Sequence, residues 1–494
     1  MQKTGFYRAK YFKMQSEKIK ERISHFGGKL YLEFGGKLFD DFHASRVLPG
    51  FSPDTKVRLL EELRDQAEII IVINAGDIEK NKVRGDLGIT YDLEVLRLID
   101  AFSALGLYVG SVIIAQYSGQ RVVDQFRGKL ENLGIKSYLH YPIEGYPIDV
   151  NHVISDEGFG RNEYVETTRP LVVVTAPGPG SGKMATCLSQ LYHENKRGVK
   201  AGYAKFETFP IWNLPLTHPV NLAYEAATAD LDDVNMIDHY HLAAYGETTV
   251  NYNRDIEVFP VLNRMFETIM GESPYKSPTD MGVNMAGFCI SDDEVCREAA
   301  KQEIIRRYFD AACDYRQGKC GEEPMLRCEL LMERAGVTIE DRPIVAAARA
   351  KAEETGAPAT AIQLSNGTII TGKTSSLLGS SAAALLDSLK EVAGIDDGLK
   401  LIDPAVIGPV EELKKVHLGH NNARLHLDET LLALAVSAPN LADAAKALTY
   451  LPELRGCEAH STVILSQVDT QTFKKLGINL TCDPQYRKKK LYHG

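Results

Sequence analysis

A strand-like segment that leads into a glycine-rich loop and a lysine is the clearest chemical signal in this chain. Leu171–Lys183 reads LVVVTAPGPGSGK, in which β-branched residues predict a strand and Pro177 with three glycines predicts a loop. The spacing of apolar residues in Met184–Glu194 predicts a helix, and Val199–Lys205 predicts a second strand. Backbone N–H groups in such a loop can approach an anion, and the helix start adds partial positive charge. We therefore predict a phosphate site formed by Gly178, Gly180, Ser181, Gly182 and Lys183.

The loop departs at two positions from the G-x-x-x-x-G-K-[ST] pattern of nucleotide-binding proteins. Pro177 stands where the first glycine is expected, and Met184 stands where a hydroxyl would bind Mg²⁺. Thr175, Ser181 or Thr186 could supply that hydroxyl instead. The predicted ligand is therefore ATP or another phosphate ester, and a glycine-rich turn that serves chain geometry alone is the alternative.

Charged residues after the following strand could extend this site. Lys205 and Glu207 fall at the end of the predicted strand, where Lys205 could bind a phosphate or a substrate carboxylate. Alternatively the two residues form an exposed pair at a strand end. The order of strand, loop with lysine, helix, strand and lysine resembles that of dethiobiotin synthetase-like ATP-dependent enzymes, a likeness of local topology only.

A dense acidic segment follows, and it is the predicted metal site. Asp230, Asp232 and Asp233 offer the hard oxygen ligands that Mg²⁺ prefers, and we predict Asp232 and Asp233 as its anchors. Asp238 and His241, spaced i and i+3, would share one face of a helix. Acidic residues that cap a helix N-terminus explain the same pattern without a metal.

An arginine further along completes the predicted catalytic set. Arg254 precedes Asp255, and its guanidinium could bind phosphate or carboxylate in bidentate fashion or could form an internal pair with an aspartate. We predict the following catalytic residues: Lys183, Lys205 and Arg254. Four polar residues after a glycine pair near the N-terminus could line the same cleft: Asp40, Asp41, His43 and Arg46.

The C-terminal part carries two weaker signals. Gly372–Ser376 resembles the end of a nucleotide loop but lacks the upstream glycine, so we interpret it as a turn that enters a helix. Four residues have side chains that could bind zinc, with buried thiols and a core or capping histidine as the alternative: Cys457, Glu458, His460 and Cys482.

Composition excludes several classes of protein. The chain of 494 residues is 44% hydrophobic and 25% charged, and its formal net charge of −10 repels nucleic acid. The basic run Arg487–Lys490 is interpreted as a solvated tail. We expect neither a signal peptide nor a membrane span, and the eight cysteines without C-x-x-C spacing favour a cytoplasmic protein with free thiols.

The order of the elements predicts an α/β fold with a mostly parallel sheet and flanking helices, P-loop-like or Rossmann-like in its N-terminal part. Ligands of such sheets bind beyond the carboxyl ends of the strands, here after Asn74, Ala115, Thr175 and Lys205. The predicted strands are Lys29–Phe34, Glu68–Asn74, Tyr108–Ala115, Lys136–Tyr141, Leu171–Thr175, Val199–Lys205 and Ile256–Val261.

The pattern becomes helical from about residue 292 to residue 354, and a smaller α/β unit follows. That unit begins with a predicted hairpin, Thr360–Leu364 and Thr368–Thr371, and includes a later strand, Thr462–Ser466. We therefore predict an α/β domain over residues 1–290, a helical segment over 291–355 and a C-terminal α/β subdomain over 356–494.

Long segments across nearly the whole chain resemble one bacterial protein family of unknown function, the domain of unknown function numbered eighteen-forty-six. The resemblance implies a large N-terminal α/β part, a helical insertion and a C-terminal α/β subdomain, and it implies no established activity. The segments that carry it are Leu32–Phe51, Thr175–Glu194, Gly202–Asp238, Thr249–Leu262, Gly367–Leu386 and Cys457–Asp469.

Three functions fit these observations. The leading hypothesis is an enzyme of the kinase or ligase type that binds ATP or another phosphate ester with Mg²⁺ and acts on a small molecule. The second is a Mg²⁺-independent transferase or isomerase of a phosphorylated metabolite, and the third is a non-catalytic metabolite-binding protein. Each is compatible with a homo-oligomer, and none involves nucleic acid or a membrane.

Overall fold

The computed structural model describes residues 3–36, 38–39, 41–84, 87–420 and 423–487. Asp40 and Lys488–Lys490, which the sequence singled out, lie outside these ranges. The chain divides into two compact units, Thr4–Ala300 and a second that comprises Lys301–Gly494 with Met1–Lys3.

The first unit is built on a sheet of seven strands, accompanied by two small two-stranded sheets. Its strands are β1 Leu30–Phe34, β2 Ala67–Asn74, β3 Val83–Arg84, β4 Ile89–Thr90, β5 Tyr108–Ala115, β6 Ser137–Leu139, β7 Leu171–Thr175, β8 Gly202–Phe206, β9 Asn235–Ile237, β10 Val250–Tyr252 and β11 Gly282–Val283. Its helices are α1 Arg8–His25, α2 Phe42–Val47, α3 Thr55–Glu62, α4 Ala75–Glu79, α5 Tyr91–Ala104, α6 Arg121–Asn132, α7 Val150–Val153, α8 Lys183–Lys196, α9 Pro219–Ala227, α10 His239–Tyr245, α11 Asn253–Met270, α12 Pro278–Met281 and α13 Asp293–Arg316, which ends in the second unit.

All strand pairs of the large sheet are parallel, in the order β11-β8-β1-β7-β2-β5-β6. The central strands are buried along nearly their whole length, as expected where helices cover both faces of a parallel sheet. This architecture confirms the predicted α/β fold.

The connections that follow two adjacent strands of this sheet, β2 and β7, run to opposite sides. The chain leaves β2 toward β5 on one side, whereas it leaves β7 toward β8 on the other side. β2 and β7 are hydrogen-bonded neighbours, with Ile71 opposite Thr175. The crevice at their carboxyl ends is therefore the topological switch point, where open α/β sheets bind their ligands.

The second unit has a smaller, mixed sheet in the order β13-β12-β14-β15. β12 pairs antiparallel with β13 and β14, and β14 pairs parallel with β15. Its strands are β12 Ala359–Gln363, β13 Ile369–Lys373, β14 Glu458–Ser461 and β15 Asn479–Cys482. Its helices are α14 Glu323–Ala335, α15 Pro343–Thr355, α16 Ser380–Ala393, α17 Pro404–Glu412, α18 Leu427–Ser437, α19 Ala442–Thr449 and α20 Gln467–Leu476.

A buried ion network holds two helices of this second unit to β14. Arg306 of α13 and Arg342, at the start of α15, donate to the two carboxylate oxygens of Glu458 at 2.9 and 2.7 Å. Arg306 also donates to Glu303 at 2.7 Å. Burial alone would raise the pKa of Glu458, but the two guanidinium groups outweigh it and lower that pKa.

Two strand predictions are wrong. Ile256–Val261 lies inside helix α11, whose buried residues Ile256, Phe259 and Leu262 recur at helical spacing. Its β-branched residues and Pro260 imitate a strand locally, whereas the pattern over the whole helix is helical. The strand predicted at Thr462–Ser466 lies earlier, at Glu458–Ser461, where it pairs with both β12 and β15.

We expect Gly202→Ala to destabilise the first unit, because an added Cβ would lie 2.0 Å from the buried ring of Phe26. Overpacking of this kind costs about 1–3 kcal/mol. Gly128→Ala in α6 is the matched control, since its Cβ would meet nothing within 4 Å and should stabilise the helix by roughly 0.5–1 kcal/mol. Urea unfolding followed by circular dichroism measures both, and equal midpoints for the two variants would contradict this packing.

Candidate functional site

The loop between β7 and α8 adopts a conformation that only glycine accommodates easily. Gly180 and Gly182 have φ of +74° and +94°, in the left-handed region. Gly182 immediately precedes Lys183, the first residue of α8. The loop is also closed on itself, because the Ser181 hydroxyl donates to the Gly178 carbonyl at 2.7 Å.

The backbone N–H groups of this loop are open. Among the residues that the structure describes, none accepts a hydrogen bond from the amides of Gly178 or Gly180–Ala185. The first N–H groups of a helix have no partner within the helix, so those at the start of α8 add to the set. Donors converging at a helix N-terminus form an anion-binding concavity.

Lys183 adds a full positive charge beside these amides. Its side chain is partly buried and forms no ion pair with any residue in the described ranges. It acts electrostatically on the buried thiol of Cys187, one helical turn along. Burial, followed by the charge of Glu33, raises the pKa of that thiol well above its ordinary value, which makes Cys187 a neutral packing residue.

Two residues, at the end of β2 and at the start of α5, lie next to the loop: Asn74 and Tyr91. Asn74 Nδ2 lies 3.5 Å from the Gly180 carbonyl oxygen. The hydroxyl of Tyr91 would lie 2.3 Å from a Cβ added at Gly178, so the ring requires glycine at that position. Lys82 lies over the same ring, 5.0 Å from its centroid, and 3.2 Å from Asp77 Oδ1.

A second group of charges lies at the carboxyl ends of β1 and β8. Lys205 contacts the Asp255 carboxylate and the Tyr252 hydroxyl, and its ammonium lies 2.8 Å from Glu207 Oε1. Glu33 is paired in register with Lys205 across β1 and β8 and accepts from Tyr203 at 2.7 Å. Apart from Tyr203, which lies earlier in β8, these side chains lie at the carboxyl edge of the sheet, which also carries the glycine loop.

The position of α8 shows that the glycine loop and the charged cluster around Lys205 lie on the same face of the sheet. Tyr31, two residues before Glu33 on β1, donates to Glu194 of α8 at 2.7 Å. Residues two apart on a strand point to the same face, so α8 covers the face from which Glu33 and Lys205 project. β1 alone separates β7 from β8, and two strand spacings amount to roughly 10 Å.

One ammonium compensates two carboxylates in this cluster. Burial opposes the charge of Lys205, but Asp255 and Glu207 outweigh it and raise the pKa of Lys205 well above its ordinary value. Burial raises the pKa of Glu207 to about 7, with Asp255 adding to the effect and Lys205 opposing it. Glu207 therefore titrates near neutrality and can hold or release a proton there.

Arg254 lies against Asp233. Its guanidinium Nη2 donates to Oδ2 of the buried Asp233 carboxylate at 2.7 Å and its Nε lies 2.5 Å from Oδ1 as an ion pair, while 57% of the Arg254 side chain stays exposed. Asp232 is exposed, in a left-handed conformation. Asp238 caps α10, accepting from the His241 amide and from Thr279. The structure thus brings Asp233 and Arg254 together and leaves Asp232 outside that pair.

The remaining predicted residues lie in other surroundings. Asp41 pairs with the buried Lys56 at 2.7 Å, and His43 packs edge-on against Phe209. In the second unit, the buried His460 ring nitrogen Nδ1 lies 2.9 Å from the Thr481 hydroxyl, and Lys373 ends β13. Within the described part of the chain, no group of three or more His, Cys, Asp or Glu side chains is placed to hold a metal ion.

The sequence did not single out four residues that the structure places around the two groups: Glu33, Asp77, Tyr91 and Tyr252. Glu33 offered a signal, a carboxylate within an otherwise apolar strand. Asp77 lies three residues beyond Asn74, in a loop that the strand pattern had marked. No sequence pattern points to Tyr91, because its contact with Gly178 joins residues that are far apart in the chain.

The fold and the loop define an α/β protein with an open, amide-lined turn at the switch point of its sheet. Residues 4–336 match the family described as domain of unknown function DUF1846, N-terminal, and residues 340–492 match its C-terminal counterpart. The chain therefore belongs to this family, which confirms the resemblance found in the sequence.

Relatives named UPF0371 protein are similar over their full length. One from Streptococcus thermophilus (strain CNRZ 1066) is 61% identical over 492 residues, and one from Streptococcus pneumoniae (strain P1031) is 60% identical, with 100% of both chains covered in each case. Across the ranges that the structure describes, no helix is long and apolar enough to span a membrane.

We expect Glu207→Gln to change how stability depends on pH. A carboxyl whose pKa rises from 4.5 to about 7 on folding stabilises the protein at low pH, and this contribution is lost as pH rises through 7. Glutamine keeps the neutral form, so the variant should gain roughly 1–3 kcal/mol over the parent between pH 5.5 and pH 8.

Thermal unfolding from pH 5.5 to pH 8 measures this difference, with exposed Glu79→Gln as the control that should follow the parent. The groups that face Glu207 are Lys205, Tyr252, Asp255 and, more distantly, Tyr224. Parallel curves for Glu207→Gln and the parent would show that Glu207 is ionised throughout this range.

Proposed function

We propose that this protein is an enzyme that binds a phosphate ester in the glycine loop Gly178–Lys183 and acts on the attached small molecule. The observation that carries the proposal is the set of open amides at Gly178 and Gly180–Ala185, which have no acceptor among the described residues. Backbone amides that no protein group satisfies must be satisfied by water or by a ligand.

Charge supports an anionic ligand. The chain as a whole is negative, at −10, so a general attraction for anions is absent and binding must come from a local site. Lys183 and the α8 N-terminus supply positive charge at the loop, and the nearby Lys205 is already balanced by Asp255 and Glu207. The phosphate is therefore assigned to Lys183 and the amides, and Lys205 to the organic part of the ligand.

The separation of the two groups suggests how the ligand lies. With its phosphate at the loop, a ligand that reaches across β1 places its other end near Lys205 and Arg254, roughly 10 Å away. Arg254 keeps an exposed guanidinium edge there and can orient an acceptor group. Phosphoryl transfer or ATP-driven ligation is the leading reaction class for this arrangement.

A second reaction class is favoured by Glu207. A carboxyl with a pKa of about 7 suits general acid–base chemistry, which would make the protein an isomerase or transferase of a phosphorylated metabolite. Such a reaction needs no Mg²⁺, and the absence of a hydroxyl at Met184 is compatible with it. Dependence of ligand binding on Mg²⁺ distinguishes the two classes.

We expect Lys183→Ala to lower affinity for phosphate ligands by at least about tenfold, the loss of one charge-assisted contact. Isothermal titration calorimetry with inorganic phosphate, nucleoside monophosphates, sugar phosphates and Mg·ATP measures it on the full chain. Lys129→Ala on α6 is the control, because that lysine is exposed and distant in sequence from the loop.

Each outcome of this titration bears on the proposal. Binding that Lys183→Ala abolishes and Lys129→Ala preserves supports the loop as the phosphate site. Absence of binding to every probe, or binding that survives Lys183→Ala unchanged, overturns it. A ligand that binds and is recovered unchanged after long incubation supports a metabolite-binding protein without catalysis.

A further inference from the structure

Two buried oxygen atoms near the glycine loop have no hydrogen-bond partner among the residues that the structure describes: Asp77 Oδ2 and Thr186 Oγ1. Thr186 is fully buried, and 13% of the Asp77 side chain is exposed. A buried polar atom without a partner costs about 1–3 kcal/mol, and more where the group is charged. A cation that binds these oxygen atoms is one explanation for why they lack a partner within the protein.

The two atoms belong to the elements that flank the loop. Asp77 lies in α4, directly after β2, and Thr186 lies in the first turn of α8, directly after β7 and the loop. β2 and β7 are neighbouring strands, so both residues follow the carboxyl ends that form the switch point. Asn74, which caps α4, is the residue whose side chain reaches Gly180.

Other groups near the loop are already engaged. Asp233 holds Arg254, and Asp255 and Glu207 hold Lys205. The Ser181 hydroxyl donates to Gly178. Asp77 differs, because Lys82 contacts only its Oδ1, at 3.2 Å, and leaves the second oxygen free for a cation.

A carboxylate and a hydroxyl beside a phosphate loop match the needs of magnesium. Mg²⁺ is a hard cation that takes one or two protein oxygens, keeps several waters and completes its shell with substrate phosphate. Such a site needs fewer than three acidic or histidine ligands, consistent with the described part of the chain offering no larger group. Lys82 balances part of the charge of Asp77 through the other oxygen, Oδ1.

We propose that Asp77 and Thr186 anchor a Mg²⁺ ion that is bound together with a phosphate ligand in the glycine loop. This inference rests on the proposed function and specifies it, because the substrate class becomes the magnesium complex of a phosphorylated compound. It also moves the metal from Asp232 and Asp233, predicted from the sequence, to the opposite side of the loop's strand.

The test uses inorganic pyrophosphate as the probe, titrated into the full chain with Mg²⁺ and with EDTA. We expect Mg²⁺ to tighten binding, and Asp77→Asn to remove most of that gain, by at least about tenfold, while binding in EDTA persists. Thr186→Val should reduce the same gain without introducing a new polar group. Exposed Glu79→Gln, on the same helix as Asp77, is the matched control and should keep the full gain.

The outcomes separate this inference from the proposed function. Pyrophosphate binding that depends on Lys183 but is equal in Mg²⁺ and EDTA overturns the magnesium site and leaves the phosphate site standing. An undiminished magnesium gain in both Asp77→Asn and Thr186→Val also overturns it. Absence of pyrophosphate binding under both conditions overturns both proposals. Melting temperatures check that each variant is folded, and Thr186→Val decides the question if Asp77→Asn is not.

Discussion

The parallel pairing of β2, β7 and β1 is the constraint on which the rest of this site depends. It brings the loops after three strands to one edge, although residues 34, 74 and 175 are far apart in the chain. Because the chain leaves β2 and β7 toward opposite sides of the sheet, the connections that follow these strands diverge at the switch point. The glycine loop follows β7 at this point, and none of the described residues accepts a hydrogen bond from its amides.

The cluster around Lys205 and the glycine loop with Lys183 differ in how far the charge of each is balanced by neighbouring residues. Around Lys205, two carboxylates face one ammonium, and burial, with a smaller contribution from Asp255, raises the pKa of Glu207. Around the loop, donors and Lys183 face no anion among the described residues. Electrostatic interactions are stronger where the dielectric constant is low. Binding an anion would therefore stabilise the loop amides and Lys183 more than the already balanced cluster around Lys205.

Much of this site could be predicted from the sequence, for physical reasons. A run such as IIIVI followed by a polar residue marks a buried strand and its end, so the loops after Asn74 and Thr175 were located correctly. Side-chain partners were harder: the Arg254–Asp233 pair was left as one of two alternatives, and the ring of Tyr91 against Gly178 left no local trace. Ile256–Val261, inside helix α11, has the residue types of a strand, and the helical periodicity becomes visible only over the longer segment.

The arginines around Glu458 have a consequence for how the second unit assembles. One carboxylate on β14 is neutralised from two helices, α13 and α15, at once. A partly formed unit that lacks either helix leaves Glu458 with one of its two guanidinium partners and fewer hydrogen bonds, which is costly for a buried carboxylate. We therefore expect half-docked intermediates to be poorly populated, so that the small sheet and these helices order together.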